Sequence, residues 1–255
     1  MHRRAFLASA VTVIASPLAA GAQKTGKVPT IGFLGTTSAS TWGPWTAAFV
    51  QRLRELGWVE GRTIAIEYRW AEGRPERFTE IAAEFVRLKV DVIATSGGAA
   101  LGAKRATSVI PIVFAAANDP VGAGLVASLA RPGGNVTGLS LQSTDLASKR
   151  IEVLREVIPR LHRLAIMANV ANPSNTVEIG EVQAAARVLS LDAATIEIRH
   201  AEDIAPAFEA LKGQVDALYV ETDALIFTHR TRINTLALAA RLPTMSAFRD
   251  SVEAG

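Results

Sequence analysis

The segment VDVIATSGG at residues 90–98, together with PIVFAA at residues 111–116, decides the fold class of this chain. Each apolar run is short and bounded by turn residues, as buried strands are, and the pattern from Gly98 to Thr107 between them predicts a helix. A strand, a helix and a second strand in this order form a βαβ unit, whose two strands run parallel in one sheet. The segment therefore predicts an α/β fold.

The same alternation of strands and helices continues on both sides of this unit. In the first half we predict strands at residues 28–35, 63–70, 90–95, 111–116 and 136–141, and helices at 45–56, 75–88, 98–107 and 121–130. In the second half we predict helices at 146–157, 174–189, 204–212 and 230–241, and strands at 163–169, 194–199, 216–220 and 244–247. We therefore expect two Rossmann-like lobes, each a parallel sheet flanked by helices, with a ligand cleft between them.

The strongest break in this alternation is the turn-forming cluster Arg131-Pro-Gly-Gly-Asn135. The strand that follows it leads out of the first lobe, and we expect the hinge between Leu139 and Asp145. This places the first lobe at residues 23–140 and the second at residues 141–255.

The first 22 residues have the three-part layout of a secretory signal peptide. Arg3 and Arg4 precede an apolar run, and Ala20-Gly-Ala22 fits the rule for signal cleavage. The run is broken by Ser16-Pro17 and is shorter than the roughly 20 residues of a transmembrane helix. We expect cleavage after Ala22 and a periplasmic mature protein that does not span the membrane. The arginine pair resembles a twin-arginine signal, but ordinary Sec signals carry such pairs too, so both export routes stay open.

Composition argues against several kinds of partner and chemistry. The chain has 27 Lys and Arg against 24 Asp and Glu, and removing Arg3 and Arg4 with the signal leaves 25 against 24. This balance gives no electrostatic basis for binding nucleic acid. The chain contains no cysteine, which excludes disulfides, zinc thiolate sites and lipid attachment through cysteine.

Motifs for catalysis or cofactor binding are not found. The four histidines are scattered along the chain without metal-ligand spacing, and no Gly-x-Ser-x-Gly elbow occurs. Residues 21–28 fail the phosphate-loop pattern because Val28 stands where Ser or Thr is needed. The dinucleotide-like pattern at residues 122–127 follows the fourth strand instead of the first, so we interpret it as a short helix packed closely on the sheet. We expect a binding protein without a metal or cofactor, and not an enzyme.

Polar side chains follow the carboxyl ends of strands in both halves, where open parallel sheets bind their ligands. The Thr95-Ser96-Gly97-Gly98 turn leads into a helix, so its N–H groups and hydroxyls suit a ligand carboxylate. Asp119 and Asp223 suit a ligand ammonium. Each turn is also explained as an ordinary cap, so only the convergence of these residues on one cleft favours a binding site.

These segments resemble the ABC transporter substrate-binding protein family, which includes tryptophan and tyrosine binders. The ungapped block from Asp91 to Ser140 carries most of the resemblance, with support from residues 52–61 and 248–255. The resemblance implies the type I periplasmic-binding-protein fold, hinge closure on a small polar or amino-acid-like solute, and delivery to an ABC permease in the inner membrane. The cleft residues of the family correspond here to Thr36, Thr37, Ser38, Thr95, Ser96, Asp119, Asn172 and Ser174, and less closely to Glu221 and Asp223.

Two alternative functions stay open. A sensor or regulator effector domain of the same fold needs a helix-turn-helix where the signal peptide stands, and an exported α/β enzyme needs a nucleophile and base or a metal set at the strand ends. The resemblance also implies that the family continues past Gly255 with a strand and a helix returning to the first lobe. We therefore expect an incomplete second lobe with an exposed sheet edge.

Overall fold

The computed structural model describes residues 27–254, which form two α/β lobes. The first lobe contains strands β1 (Thr30–Gly35), β2 (Ala65–Trp70), β3 (Val92–Thr95), β4 (Ile112–Ala117) and β5 (Val136–Ser140), with helices α1 (Ala39–Glu55), α2 (Glu76–Leu88) and α3 (Ala99–Ala106). Its strands all pair in parallel, in the order β2-β1-β3-β4-β5. The predicted signal peptide lies outside the described residues.

The second lobe repeats this architecture with four strands. It contains β6 (Arg163–Asn169), β7 (Asp192–Ile198), β8 (Ala217–Val220) and β9 (Thr244–Ser246), with helices α4 (Ala147–Val157), α5 (Thr176–Val188), α6 (Ile204–Leu211), α7 (Ala224–Thr228), α8 (Arg230–Ala239) and α9 (Arg249–Glu253). The strand order is β7-β6-β8-β9, again with parallel pairing throughout. The predicted α/β fold with two parallel sheets is confirmed.

Each sheet is held by apolar side chains that its helices bury. Strand β3 lies between β1 and β4, and its Ile93 is fully buried with Phe85 of α2 and Phe114 of β4 in the core of the first lobe. In the second lobe two apolar clusters cover the sheet, with Tyr219 in one and Phe208 in the other. Central strands are buried on both faces in such sheets, which explains why their sequences read as continuous apolar runs.

The nine predicted strands all occur within two residues of their expected bounds, but several helices differ. Helix α1 begins six residues before the predicted start, because Ser38 caps it and Pro44 is accommodated inside it. Helices α7 and α9 were not predicted. The sequence pattern indicates no helix between residues 220 and 230 or after residue 247.

The predicted helix at residues 121–130 is wrong, and the chain forms consecutive turns there. Gly124 has a φ of +69°, which ends any regular helix, and Gly122 donates its N–H to the Asp119 carboxylate. Leu125 and Val126 are buried against the first sheet. These residues are apolar because the turn is buried, and not because they form one face of a helix.

The chain crosses between the lobes after β5 ends at Ser140 and before a short 3₁₀ turn at Thr144–Leu146. Gln142 in this crossing segment has a φ of +48°, and Leu141 still donates its N–H to Ala117 of the first lobe. This is the region in which the hinge was predicted, and the division of the lobes at residue 140 stays a prediction. No helix within residues 27–254 is long and apolar enough to cross a membrane.

Gly102 provides a test of how closely α2 and α3 pack. A Cβ at this position would lie 2.7 Å from Cβ of Phe78 and 3.1 Å from its carbonyl carbon. We expect Gly102→Ala to lower the free energy of unfolding by about 1–3 kcal/mol, because the helices must separate. Urea denaturation measures this change.

Gly180 of α5 is the matched control, since a Cβ there meets nothing within 4 Å. Gly180→Ala should raise the free energy of unfolding by roughly 0.5–1 kcal/mol, because alanine loses less backbone entropy in a helix. If both variants were equally stable, the close approach of α2 and α3 would be incorrect.

Candidate functional site

A cavity of about 560 Å³ lies where the carboxyl ends of the two sheets face each other. Its volume falls within the roughly 300–1,000 Å³ of small-molecule sites. The wall contains the loops after β1, β3 and β4 of the first lobe, and those after β6 and β8 of the second. Because parallel strands bring their carboxyl ends to the same edge, these distant loops meet in one cleft.

Seven of the ten predicted ligand-binding residues line this cavity. They are Thr36, Thr37, Ser96, Asp119, Asn172, Ser174 and Asp223. The other three support the wall from behind: the Ser38 hydroxyl caps α1 by accepting from Thr41 N, the Thr95 hydroxyl donates to Leu34 O at 2.9 Å, and Glu221 is buried beneath the cavity. Ligand contact by the seven stays a prediction.

The turn after β3 brings the N-terminal end of α3 to the cavity wall. Gly97 has a φ of +52° and donates its N–H to Ala116 O, which fixes the turn on β4. The first N–H groups of a helix have no acceptor within the helix, and the helix dipole makes this end positive. With the Ser96 hydroxyl beside them, these groups suit the carboxylate of a ligand.

Asp119 presents a carboxylate that the protein uses only in part. Its Oδ1 accepts a hydrogen bond from Gly122 N at 2.8 Å, and we find no second donor to this carboxylate among residues 27–254. A Cβ at position 122 would lie 2.0 Å from Asp119 Oδ2. Glycine is therefore needed at position 122 so that the carboxylate can lie along the backbone.

Asp223, in contrast, is fully engaged by the second lobe. Its Oδ1 accepts from Asn169 Nδ2 at 3.0 Å and Leu225 N at 2.7 Å. Its Oδ2 accepts from Asn172 Nδ2 at 3.0 Å and Asn175 Nδ2 at 3.1 Å. Four donors fill the accepting capacity of a carboxylate. Asp223 thus orients the amides of the cavity wall, and Asp119 is the better partner for a ligand ammonium.

Four aromatic side chains form a further part of the cavity lining, the aromatic wall, which the sequence pattern does not predict. Trp42 and Trp45 come from α1, Phe227 from α7, and Phe248 precedes α9. The rings of Trp45 and Phe227 are 5.6 Å apart across the cleft, and those of Phe227 and Phe248 are 6.2 Å apart. The one signal in the sequence was the i, i+3 spacing of the two tryptophans directly after the polar loop at residues 36–38.

The two lobes touch at the cavity wall, which Asn118 and Thr222 both line. Asn118 Nδ2 of the first lobe donates to Glu178 Oε2 at 3.2 Å and to Thr222 O at 3.3 Å, both in the second lobe. A Cβ at Gly98 would lie 2.6 Å from Asn172 Oδ1. These contacts define a closed arrangement of the lobes, which glycine at position 98 permits.

Two glutamates are buried under the second-lobe wall. Glu221 is 2 % exposed, its Oε2 accepts from Asn169 N and Asn175 Nδ2, and its Oε1 has no partner among the described residues. Burial, followed by the negative charges of Asp223 and Glu178, raises the pKa of the Glu221 carboxyl well above its ordinary value. Burial also raises the pKa of Glu178, against the opposing hydrogen bond from Tyr219. Burial thus favours the neutral carboxyl at Glu221, whereas at Glu178 the hydrogen bonds from Tyr219 and Thr222 and the charge of Arg150 oppose the effect of burial.

Residues that hold a metal ion are not grouped in this structure. Among residues 27–254, no three His, Cys, Asp or Glu side chains are arranged as metal ligands. The chemistry that the cavity offers is hydrogen bonding from its polar side chains and apolar contact from its aromatic ones.

Comparison with known proteins identifies relatives of this chain. Residues 46–255 match the family model described as ABC transporter substrate binding protein. A curated relative, the tyrosine-binding protein of Clostridioides difficile (strain R20291), is 31% identical over 209 residues, covering 81% of this chain and 60% of the relative. The chain thus spans less than two thirds of that relative's length.

Two solved structures share the fold. A conserved domain protein from Vibrio cholerae O1 biovar eltor str. N16961 superposes with a TM-score of 0.79 at 26% identity, covering 90% of this chain and 77% of that one. The ABC domain in complex with L-Trp from Streptococcus pneumonia superposes with a TM-score of 0.78 at 24% identity, with the same coverage. The predicted type I periplasmic-binding-protein fold is confirmed.

The buried Glu221 predicts a specific dependence of stability on pH. A carboxyl whose pKa is raised by folding stabilises the fold below its ordinary pKa, and this contribution is lost as pH rises through the raised pKa. In that window one such group lowers the free energy of unfolding by about 1.4 kcal/mol per pH unit. Glu221→Gln removes the group, so the variant should lose less stability than the parent as the pH rises above about 5.

Urea denaturation across this pH range measures the difference. Glu181→Gln, an exposed position on α5, is the matched control and should follow the parent profile. Parallel profiles for the parent and Glu221→Gln would show that Glu221 does not titrate in this window.

Proposed function

We propose, since this chain belongs to the ABC transporter substrate-binding protein family, that its cleft captures a zwitterionic amino acid with a large apolar side chain for import. Members of this family bind solutes and are typically exported to the periplasm. The observation that carries the proposal is one cavity whose lining combines groups that suit a carboxylate and an ammonium with an aromatic wall.

The polar residues of the cavity supply one partner for each charge of an amino acid. The Ser96 hydroxyl and the N-terminal end of α3 suit the carboxylate, and Asp119 suits the ammonium. The Asn172 amide is oriented by Asp223, so it adds a preset polar group from the other lobe. Such groups contribute strongly because closure removes them from water.

The aromatic wall determines the class of side chain. Trp45 and Phe227 come from opposite lobes and contact each other at 5.6 Å between ring centroids, so an apolar side chain that packs against both rings is buried only when the lobes close. Burial of apolar surface contributes about 25 cal/mol per Å², and ring pairs add to this. The name of the curated relative, a tyrosine-binding protein, supports an aromatic or similarly large side chain.

We extend this proposal to the export of the protein and to its membrane partner. The mature chain begins after Ala22, acts in the periplasm, and delivers its solute to an ABC permease in the inner membrane. The lobes divide near residue 140 and rotate about the crossing segment. The protein performs no chemistry on its solute.

Binding of a panel of amino acids tests the proposal. We expect L-tryptophan, L-tyrosine, L-phenylalanine and L-leucine to bind, and L-aspartate, L-lysine and glycine to bind much more weakly, because only large apolar side chains cover the aromatic wall. Trp42 and Trp45 line the cavity, so intrinsic fluorescence reports binding directly. Calorimetry gives the affinities.

Preferential binding of the charged amino acids, or of none of the panel, would contradict the proposed ligand class. Turnover of any panel compound would support the enzyme alternative instead. Trp58→Phe, outside the cavity wall, should keep the fluorescence response, whereas Trp45→Phe should reduce it.

Asp119→Asn tests the ammonium partner. The variant keeps the shape of the side chain but removes its charge, so we expect L-tryptophan to bind about tenfold more weakly, as for a lost charge-assisted hydrogen bond. Indole-3-propionate lacks the ammonium, so its affinity should be unchanged. Calorimetry with both compounds separates the two effects.

Equal weakening of both compounds by Asp119→Asn would show that Asp119 does not pair with the ammonium. Asp223→Asn is the comparison variant. It replaces an acceptor of four hydrogen bonds, so its main effect should be a loss of stability.

A further inference from the structure

A chain of hydrogen bonds connects the edge of the cleft with the segment that joins the lobes. It begins at Asn118, passes through Glu178 and Tyr219, and ends at Arg150 and Ser143. We propose that Asn118 and Glu178 form a latch that holds the lobes closed and sets the open–closed equilibrium for every ligand alike. This inference rests on the proposed function, but it concerns a contact that needs no ligand.

Asn118 uses one amide nitrogen to reach two acceptors in the other lobe. It directly follows β4 of the first lobe, and its Nδ2 donates to Glu178 Oε2 at 3.2 Å and to Thr222 O at 3.3 Å. An amide nitrogen has two protons, and both are committed to the second lobe. Opening the cleft separates both pairs together.

Glu178 is positioned by its own lobe before Asn118 arrives. It is 1 % exposed, and its Oε1 accepts hydrogen bonds from Tyr219 Oη at 2.9 Å and from the Thr222 hydroxyl at 3.4 Å. Only Oε2 is then left for the first lobe. Glu178 does not line the cavity, so it acts on the ligand through closure rather than by contact.

The latch is tied to the hinge region by Arg150. The Arg150 guanidinium donates to Tyr219 Oη at 3.2 Å, to Ser143 O at 2.9 Å and to Ser143 Oγ at 3.2 Å. Ser143 lies in the segment that crosses between the lobes. A change in that segment therefore moves the groups that orient Glu178.

The energy of the latch depends on burying a carboxylate during closure. Burial raises the pKa of Glu178, and the titratable or charged groups that face it are Arg150 from α4, Tyr219 from β8 and Glu221 after β8. A buried carboxylate is costly unless its oxygens are hydrogen-bonded, so the bond from Asn118 offsets part of this cost only in the closed form. Removing the bond shifts the population to the open form.

Two isosteric variants reverse the polarity of the contact without changing its size. Asn118→Asp places a carboxylate against Glu178 and against Thr222 O, so the lobes should repel each other. Glu178→Gln keeps a single oxygen, which the Tyr219 and Thr222 hydroxyls hold, so its amide nitrogen is left to face the Asn118 amide. In the double variant the new amide at position 178 meets the new carboxylate at position 118, so one hydrogen bond returns. Glu181→Gln on the exposed face of α5 is the matched control.

The distance between the lobes can be measured directly because the chain has no cysteine. Arg105→Cys in α3 and Arg187→Cys in α5 place one exposed label site on each lobe. Spin-label distances in the ligand-free full chain should show a closed population in the parent and in Glu181→Gln. That population should fall in Asn118→Asp and Glu178→Gln, and recover in the double variant.

Affinity and pH give two readouts that general destabilisation would not produce. Every ligand that binds the parent should bind Asn118→Asp about tenfold more weakly, by the same factor for each, because only the closed fraction changes. Lowering the pH should close Asn118→Asp again, because two facing carboxyls can share a proton.

The distance measurement needs no ligand, so it tests whether the latch exists even if no amino acid binds. Failure of the proposed function is therefore a separate result. Unchanged distances in both single variants, additive effects in the double variant, or a ligand-free parent that is entirely open would each overturn the latch. A loss of affinity confined to one ligand, with unchanged distances, would overturn it as well and would assign Asn118 to ligand contact.

Discussion

Parallel pairing in both sheets is the constraint on which the rest of this structure depends. Because every strand of a lobe runs in the same direction, all its loops with polar side chains leave from one edge. The two edges face each other, and the cavity lies between them. The helices cover the faces of the sheets with apolar side chains, so the exposed chemistry of the molecule is concentrated at this one junction.

Several polar groups at this junction have their hydrogen bonds satisfied before a ligand enters. Asp223 holds three asparagine amides in place, and Tyr219 with Thr222 holds Glu178. Buried polar groups are costly when unpaired, so these networks rigidify the second-lobe wall. Asp119 is the contrasting case, because the described residues leave part of its carboxylate unused. This difference is why we propose that Asp119 contacts the ligand and that Asp223 supports the cavity wall.

Closure connects the two halves of the site. The aromatic wall is complete only when Trp45 of one lobe meets Phe227 of the other, and Asn118 reaches its acceptors only in the same arrangement. Glycine at position 98 permits the close approach of the loops. In the closing movement that we propose, ligand burial and lobe contact are gained together, so that a small change in either shifts the balance between open and closed forms.

The sequence by itself determined the two α/β lobes and the loops that meet at the cleft, because strand and helix periodicities are local and parallel strands send their ends to one edge. It also identified seven residues of the cavity wall. Only the tertiary structure decided that Glu221 lies beneath the wall and that Phe227 and Phe248 complete it. The Asn118–Glu178 contact joins residues 60 positions apart on different lobes. Such contacts depend on how two lobes pack, and no local pattern encodes that.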